Sequence, residues 1–312
     1  MTDITYVFAI GPGKLASQGK LLLKSILKHT PARHKDIIVY VVNEEKSKID
    51  NNLLSFFQNN ATVVEGPMPN SKYPLSAAHA ALLAASKQTK NDYLLLLDVD
   101  TVLLDSVDIH EKVDAELYLK PVDLGNRYWA SQESVNNWRE LYDEYGFSFP
   151  ISRVNSTVDN KRTLPYYNGG VILTANNNFP ERWLELSNQI YGTLEESNFF
   201  TEQVSLALLS SEYDVYELTE RYNHPLHLRL SIPENTKIVH YNNDTVLDRQ
   251  AFFDESFENT LVELGWKRDQ TQMITYYVGI IFDVLDAVYY RRTRRPSIIS
   301  TVKQAVSRLL PN

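Results

Sequence analysis

Over the first 105 residues, short runs of strand-like composition alternate with stretches of helical period, and this pattern narrows the fold more than any other feature. The segments "ITYVFAI", "DIIVYVV", "ATVVEG" and "DYLLLLDVDTVLL" read as strands, and "KLASQGKLLLKSILKH", "NNLLSFFQ" and "SAAHAALLAASKQT" read as the helices between them. In the last helix Ser76, two residues after Pro74, is the expected N-cap. Strands that alternate with helices are joined by crossovers, so the expected class is α/β: a Rossmann-like, mostly parallel sheet with helices on both faces. Such sheets bind ligands beyond the carboxyl ends of their strands, near a reversal of strand order.

Past residue 106 the order is mixed. "AELYLKPVD", "YYNGGVILT" and "TKIVHYNN" read as strands, and "SVNNWRELYDEYGF", "ERWLELSNQIY" and "FFTEQVSLALLS" as helices, with a loop expected over 148–163. The expected organisation is therefore a first half at 1–105, a second half of the same domain at 106–245, and a helical appendage with a basic amphipathic end at 246–312.

Within 91–106, "NDYLLLLDVDTVLLDS", two aspartates interrupt an apolar strand. A carboxylate at the end of a buried strand must be hydrogen-bonded, paired or bound to a cation. At i, i+2 on a strand-to-loop turn, Asp98 and Asp100 can both reach one hard divalent cation, and Mn²⁺ or Mg²⁺ would leave coordination positions for phosphate oxygens. As ordinary turn residues they would need no ligand at all. The absence of cysteine excludes thiolate metal sites, disulfides and a cysteine nucleophile.

An apolar strand running into D-x-D and then a short apolar β segment resembles the metal-dependent glycosyltransferases of the GT-A fold. "YYNGGVILT", "FFTEQVSLALL", "RYNHPLHLR" and "KIVHYNN" follow in order, and together they resemble glycosyltransferase family 8 and its relatives over roughly residues 3 to 245. The resemblance implies transfer of a hexose from a nucleotide diphosphate sugar, with a UDP-sugar favoured, to a saccharide or lipid-linked hydroxyl with retention of configuration. It implies Asp98, Asp100 and His240 as metal ligands. Ile10, Gly11, Lys72, Asp98, Val99, Gly169 and Gly170 would bind the donor. Glu202 would hold sugar hydroxyls, Gln203 would lie near the anomeric carbon, and Asn168 would line the sugar. Read alone, Glu202 could equally serve the dipole of its helix, and His240 could be a satisfied core residue. The family has an acidic residue soon after the first strand for the nucleotide base, and this chain has "AIGPGKLAS" there.

Other classes remain to be weighed. "DVDTVLL" resembles the D-x-D-x-T motif of haloacid-dehalogenase-type phosphatases, but position 102 is valine and three strands precede the motif. "GPGK" does not complete a phosphate loop, since Leu15 follows Lys14. A non-catalytic nucleotide-sugar binding module would share every motif.

Formal net charge is -8, yet residues 291–308 contain six basic residues and no acidic one. Beside them, "SIISTVKQAVSRLL" gathers Ile298, Ile299, Val302, Val306 and Leu309 on one helical face, the pattern of an attachment to an anionic membrane surface at 291–310. A docked helix or a homo-oligomer contact is the alternative. Nucleic acid is not expected as a partner, because the basic residues lack interleaved aromatics. The N-terminus lacks a secretory signal pattern, so a cytoplasmic enzyme, peripheral at the inner membrane face, is expected.

Overall fold

The computed structural model describes residues 4–111, 113–125, 128–131, 134–194 and 199–267. The chain divides into two compact units, residues 1–242 and 243–312. The first begins β1 (Ile4–Ile10), α1 (Lys14–His29), β2 (Ile37–Val42), α2 (Asn43–Lys46), α3 (Asn51–Asn60), β3 (Thr62–Gly66), α4 (Ser76–Gln88) and β4 (Tyr93–Leu97). It continues β5 (Thr101–Leu103), β6 (Leu117–Pro121), α5 (Val135–Glu144), β7 (Val154–Asn155), β8 (Arg162–Thr163) and β9 (Tyr167–Ala175). It closes with α6 (Phe179–Ile190), α7 (Thr201–Leu209), β10 (Val215–Glu217), β11 (His224–Pro225) and β12 (Ile238–His240).

A seven-stranded sheet runs β10-β6-β9-β4-β1-β2-β3. β1 pairs in parallel with β2 and β4, and β2 with β3, while β9 lies antiparallel between β4 and β6. The order therefore reverses at β1: the chain steps outward through β2 and β3, then returns to place β4 on the other side. The carboxyl ends of β1 and β4 flank this switch point, where a ligand cleft is expected.

Both faces of the sheet are covered, as its continuous apolar strands require. One face packs Val7, Ile38, Leu94, Leu96 and Ile172 against Ala81, Leu82 and Ala85 of α4 and Trp183 of α6. The other packs Phe8, Val39, Leu95 and Leu173 against Leu22, Leu23 and Ile26 of α1 and Phe57 of α3. Gly19 lets α1 approach β1 closely, since a Cβ there would lie 2.7 Å from Ile10 Cγ2.

Three local expectations change. The expected strand through "DYLLLLDVDTVLL" is two strands: β4 ends at Leu97, and β5 joins β12 and β11 in a separate three-stranded sheet. Ser76 is the first helical residue rather than the N-cap. It is buried, and its hydroxyl accepts the Asn70 N–H at 3.1 Å, which pins the preceding loop. The expected loop over 148–163 contains the short antiparallel pair β7–β8.

In the second unit, α8 (Asp244–Phe253) and α9 (Glu255–Glu263) are each started by a side-chain cap, Asn243 accepting from the Val246 N–H and Asp254 from the Phe257 N–H. The apolar stripe at 272–286 and the basic segment 291–310 lie outside the described residues. Among the described residues, no helix is long and apolar enough to cross a membrane.

Candidate active site

The cleft at the switch point begins with a turn. The ladder between β4 and β9 extends one residue past β4, the Asp98 N–H donating to Gly170 O at 2.9 Å. Both the backbone N–H and the hydroxyl of Thr101 then donate to Asp98 O, at 3.1 and 2.7 Å, closing a tight turn that throws β5 off the main sheet. Asp98 and Asp100 sit on this turn.

The third member comes from the far end of the domain. β12 pairs antiparallel with β5 in a register that opposes His240 to Thr101, and the Tyr241 N–H donates to Asp100 O at 3.0 Å. His240 Nε2 consequently lies 3.1 Å from Asp100 Oδ1 and 4.0 Å from Asp98 Oδ2. One ligand atom from each of the three residues lies within 4.8 Å of the other two, the spacing at which a single ion can be held by all three.

A hydrogen-bond chain settles which imidazole nitrogen faces the carboxylates. Asn168 Oδ1 accepts the Gly170 N–H at 2.9 Å, so the Asn223 atom 3.0 Å from it must be the amide nitrogen. Asn223 Oδ1 then faces His240 Nδ1 at 3.2 Å and accepts its proton. Nε2, 3.1 Å from Asp100 Oδ1, hydrogen-bonds to that carboxylate, and with Nδ1 held by Asn223 it is the nitrogen that would turn its lone pair to a cation on losing its proton.

The glycine pair lies inside β9, within the stretch that reads as a strand, and has ordinary backbone angles. Its role is close approach. A Cβ on Gly170 would lie 2.5 Å from His240 Cε1 and 3.0 Å from Asp98 Oδ2, and one on Gly169 would lie 3.0 Å from Glu202 Oε1. The two positions thus make room for different parts of the site.

Glu202 stands in the first turn of α7. Its N–H donates to the Tyr73 hydroxyl at 3.0 Å, its carbonyl accepts from Trp183 Nε1 and Ser205 Oγ, and its carboxylate hydrogen-bonds with Gln203. Burial, reinforced by the Asp98 charge, pushes the Glu202 carboxyl up to about 8. Burial and then the Asp100 charge push Asp98 up to about 7, against the pull of His240. Burial works to raise Asp100 as well, but His240 outweighs it and brings Asp100 below the usual range. Burial works to lower His240, and Asp100 and Asp98 overcome it and raise it. Three carboxylates sharing one imidazole are short of positive charge, and a divalent cation would supply it.

From this cluster a cleft of about 500 Å³ opens toward the ends of β1 and β2. Of the residues expected to bind the donor, Ile10, Gly11, Asp98 and Val99 line it, and Asp100 and Lys14 do too. Gly170 lies against His240 and Asp98, and Gly169 beside Glu202. Lys72 is exposed on the loop before α4 and is absent from the lining. Sequence reasoning missed Asn223, Tyr73, Asn242 and Glu45. Asn242 has a left-handed backbone (φ 60°) and turns the chain out of β12 at the cleft.

Strand order, the antiparallel β9 and the cleft at the switch point are those of a GT-A fold glycosyltransferase. The chain belongs to the family described as the Rhodobacterales glycosyltransferase domain, whose model matches residues 6–214. That span holds the D-x-D turn, the glycine pair and Glu202, and it ends before β12. Among solved structures, the chain is similar to the galactosyltransferase LgtC in complex with donor and acceptor sugar analogs, at 16% identity and a TM-score of 0.55, over 86% of this chain and 98% of that one. It is also similar to an active-site mutant of LgtC, at 15% identity and a TM-score of 0.56, over 84% and 95%. No curated protein matches the chain. The chain is thus a glycosyltransferase, which removes the phosphatase and the non-catalytic binding module as readings.

Proposed function

We propose that this glycosyltransferase moves a hexose from a nucleotide diphosphate sugar, a UDP-sugar by preference, to a hydroxyl of a saccharide or lipid-linked saccharide. Mn²⁺ or Mg²⁺ would be held by Asp98, Asp100 and His240. The observation that carries this reading is the meeting of those three side chains within 4.8 Å at the end of β4, one wall of the cleft. The likeness to LgtC bound to donor and acceptor sugar analogs supports both substrate classes. When bound, the cation would neutralise charge developing on the departing diphosphate. Residues 1–105 then serve chiefly the donor and 106–245 chiefly the acceptor.

The protein's own residues divide the remaining work. The Asn168–Asn223 chain aims His240. Glu202, on the opposite side of the glycine pair, accepts from sugar hydroxyls, and Gln203 lies beside it near the reacting carbon. Retention of configuration follows the family resemblance, and proton NMR of the first-formed product would overturn it by an inverted centre. The segment 291–310 is proposed as a membrane contact on sequence pattern alone, and liposome flotation of the full chain against one ending at Tyr290 checks it.

The first experiment is a thermal-shift series with UDP, GDP and dTDP, each with and without Mn²⁺. A ligand at about 100 times its Kd stabilises by about 2.7 kcal/mol, a readily visible shift. Stabilisation that needs nucleotide and metal together supports the reading, and no shift with any pair removes it.

A further inference from the structure

Besides Asp98 and Asp100, the cleft is lined, among the described residues, by one further carboxylate, that of Glu45. Glu45 lies on α2, directly after β2, and lines the cleft that contains Asp98 and Asp100. Its Oε2 would be 3.2 Å from a Cβ on Gly11, so the missing side chain at Gly11 leaves the carboxylate open to the cleft beside the end of β1. The neighbouring Lys46 is spoken for by Glu65 of β3, at 2.6 Å. Glu45 is half-buried, and its carboxylate makes no hydrogen bond or ion pair among the described residues.

Its place in the sheet fits one part of a donor. β4, β1 and β2 are consecutive strands, so the end of β2 stands two strand spacings, about 10 Å, from the aspartate turn at the end of β4. A nucleoside diphosphate with its phosphates at that turn would reach the end of β2 with its base. Val42, Met68, Leu75 and Ala78 of the lining offer apolar surface for a flat ring, and apart from Asp98 and Asp100 the described lining holds one carboxylate, that of Glu45, beside the polar side chains of Lys14, Gln18 and Asn242.

We infer that Glu45 selects the nucleobase of the donor by accepting the ring N–H of a lactam base. An ionised carboxylate accepts hydrogen bonds and donates none. Uracil, thymine and guanine present a ring N–H on that edge, whereas cytosine and adenine present a bare ring nitrogen, which would face the carboxylate lone pair to lone pair. The inference rests on the donor reading above and adds the class of base and the residue that chooses it.

The test is calorimetric titration of the full chain, with Mn²⁺ present, using UDP, dTDP, GDP, CDP and ADP, on wild type, Glu45→Gln and Glu45→Asp. Wild type is expected to bind one of the lactam nucleotides roughly ten- to a hundredfold more tightly than CDP or ADP. A glutamine amide can accept or donate, so Glu45→Gln should collapse that ratio to within about threefold. Glu45→Asp stays acceptor-only and should keep the preference at weaker affinity. Inorganic pyrophosphate with Mn²⁺ should bind all three proteins alike, which also shows that the variants are folded. The inference is overturned if wild type prefers CDP or ADP, if Glu45→Gln weakens every nucleotide by the same factor, or if it changes nothing. Failure of wild type to bind any nucleoside diphosphate alongside Mn²⁺ would instead remove the donor reading and this inference with it.

Discussion

The two ends of the cleft are built in opposite ways. At the aspartate end the turn and the imidazole are fixed by hydrogen bonds: the Thr101 hydroxyl closes the turn onto the Asp98 carbonyl, the Tyr241 N–H ties the Asp100 carbonyl to β12, and Asn168 and Asn223 set the imidazole. At the end near β2, the Glu45 carboxylate, without a hydrogen bond or ion pair among the described residues, faces the apolar side chains of Val42, Met68, Leu75 and Ala78. Chemistry that stabilises developing charge profits from groups fixed beforehand, because they need not reorganise as the reaction proceeds. Selection among bases needs only a contact that a wrong base leaves unmade. The difference in construction follows from that difference in task.

The largest test of the rigid end is Asp100→Asn, which removes the carboxylate closest to His240. Metal-dependent transfer should fall by roughly 10²–10³-fold or more, and retained full activity would break the contrast. The adjacent glycines come next, because they separate two parts of one wall. Gly170→Ala drives a Cβ into His240 and Asp98 and should abolish tight Mn²⁺ binding, read by electron paramagnetic resonance of free ion. Gly169→Ala crowds only Glu202, so Mn²⁺ binding should persist while kcat drops. Equal effects of the two on metal binding would show that the wall acts as one unit.

Asn223→Ala is milder. It leaves all three ligands in place and releases the imidazole, so Mn²⁺ affinity measured without nucleotide should weaken by about ten- to a hundredfold. Asn223→Asp, which keeps an acceptor for Nδ1, should recover part of the loss. The smallest effect is on stability. Asp98 at about 7 and Glu202 at about 8 hold protons in the folded chain that the unfolded chain releases near its ordinary values of 3.8 and 4.5. Across that window the unfolded state binds fewer protons, so metal-free stability should fall as pH rises toward 8. The raised His240 acts in the same direction, its contribution being lost as pH rises through its folded value. The melting temperature should drop by a few degrees between about pH 5 and 8 without metal and should flatten with saturating Mn²⁺.

Much of this was legible in the chain, and unevenly so. β1 and α1 fall where their periodicity put them, residue for residue, because each carries its own pattern of buried positions. The D-x-D turn was legible because two charges in an apolar strand need a reason. What escaped depends on pairing across long separations: β10 is three residues long, and β9 reads the same in either direction. The reason for the glycine pair escaped, because Glu202, His240 and Asp98, which pack against it, come from distant segments. Asn223 lies in "RYNHP" with no local signal, and Glu45 resembles any acid in a first helical turn.

The pairing of β5 with β12 also orders events in time. Asp105 and Lys237, which form an ion pair between these two segments, are 132 residues apart in sequence. A ribosome adding about 5 to 20 residues per second leaves the two aspartates exposed for on the order of ten seconds before the histidine exists. Until then the nascent domain carries a mutually repelling acidic pair without the imidazole of His240 beside it. Capture of a cation by the three proposed ligands would therefore be a late event, marking a domain in which β12 has docked on β5.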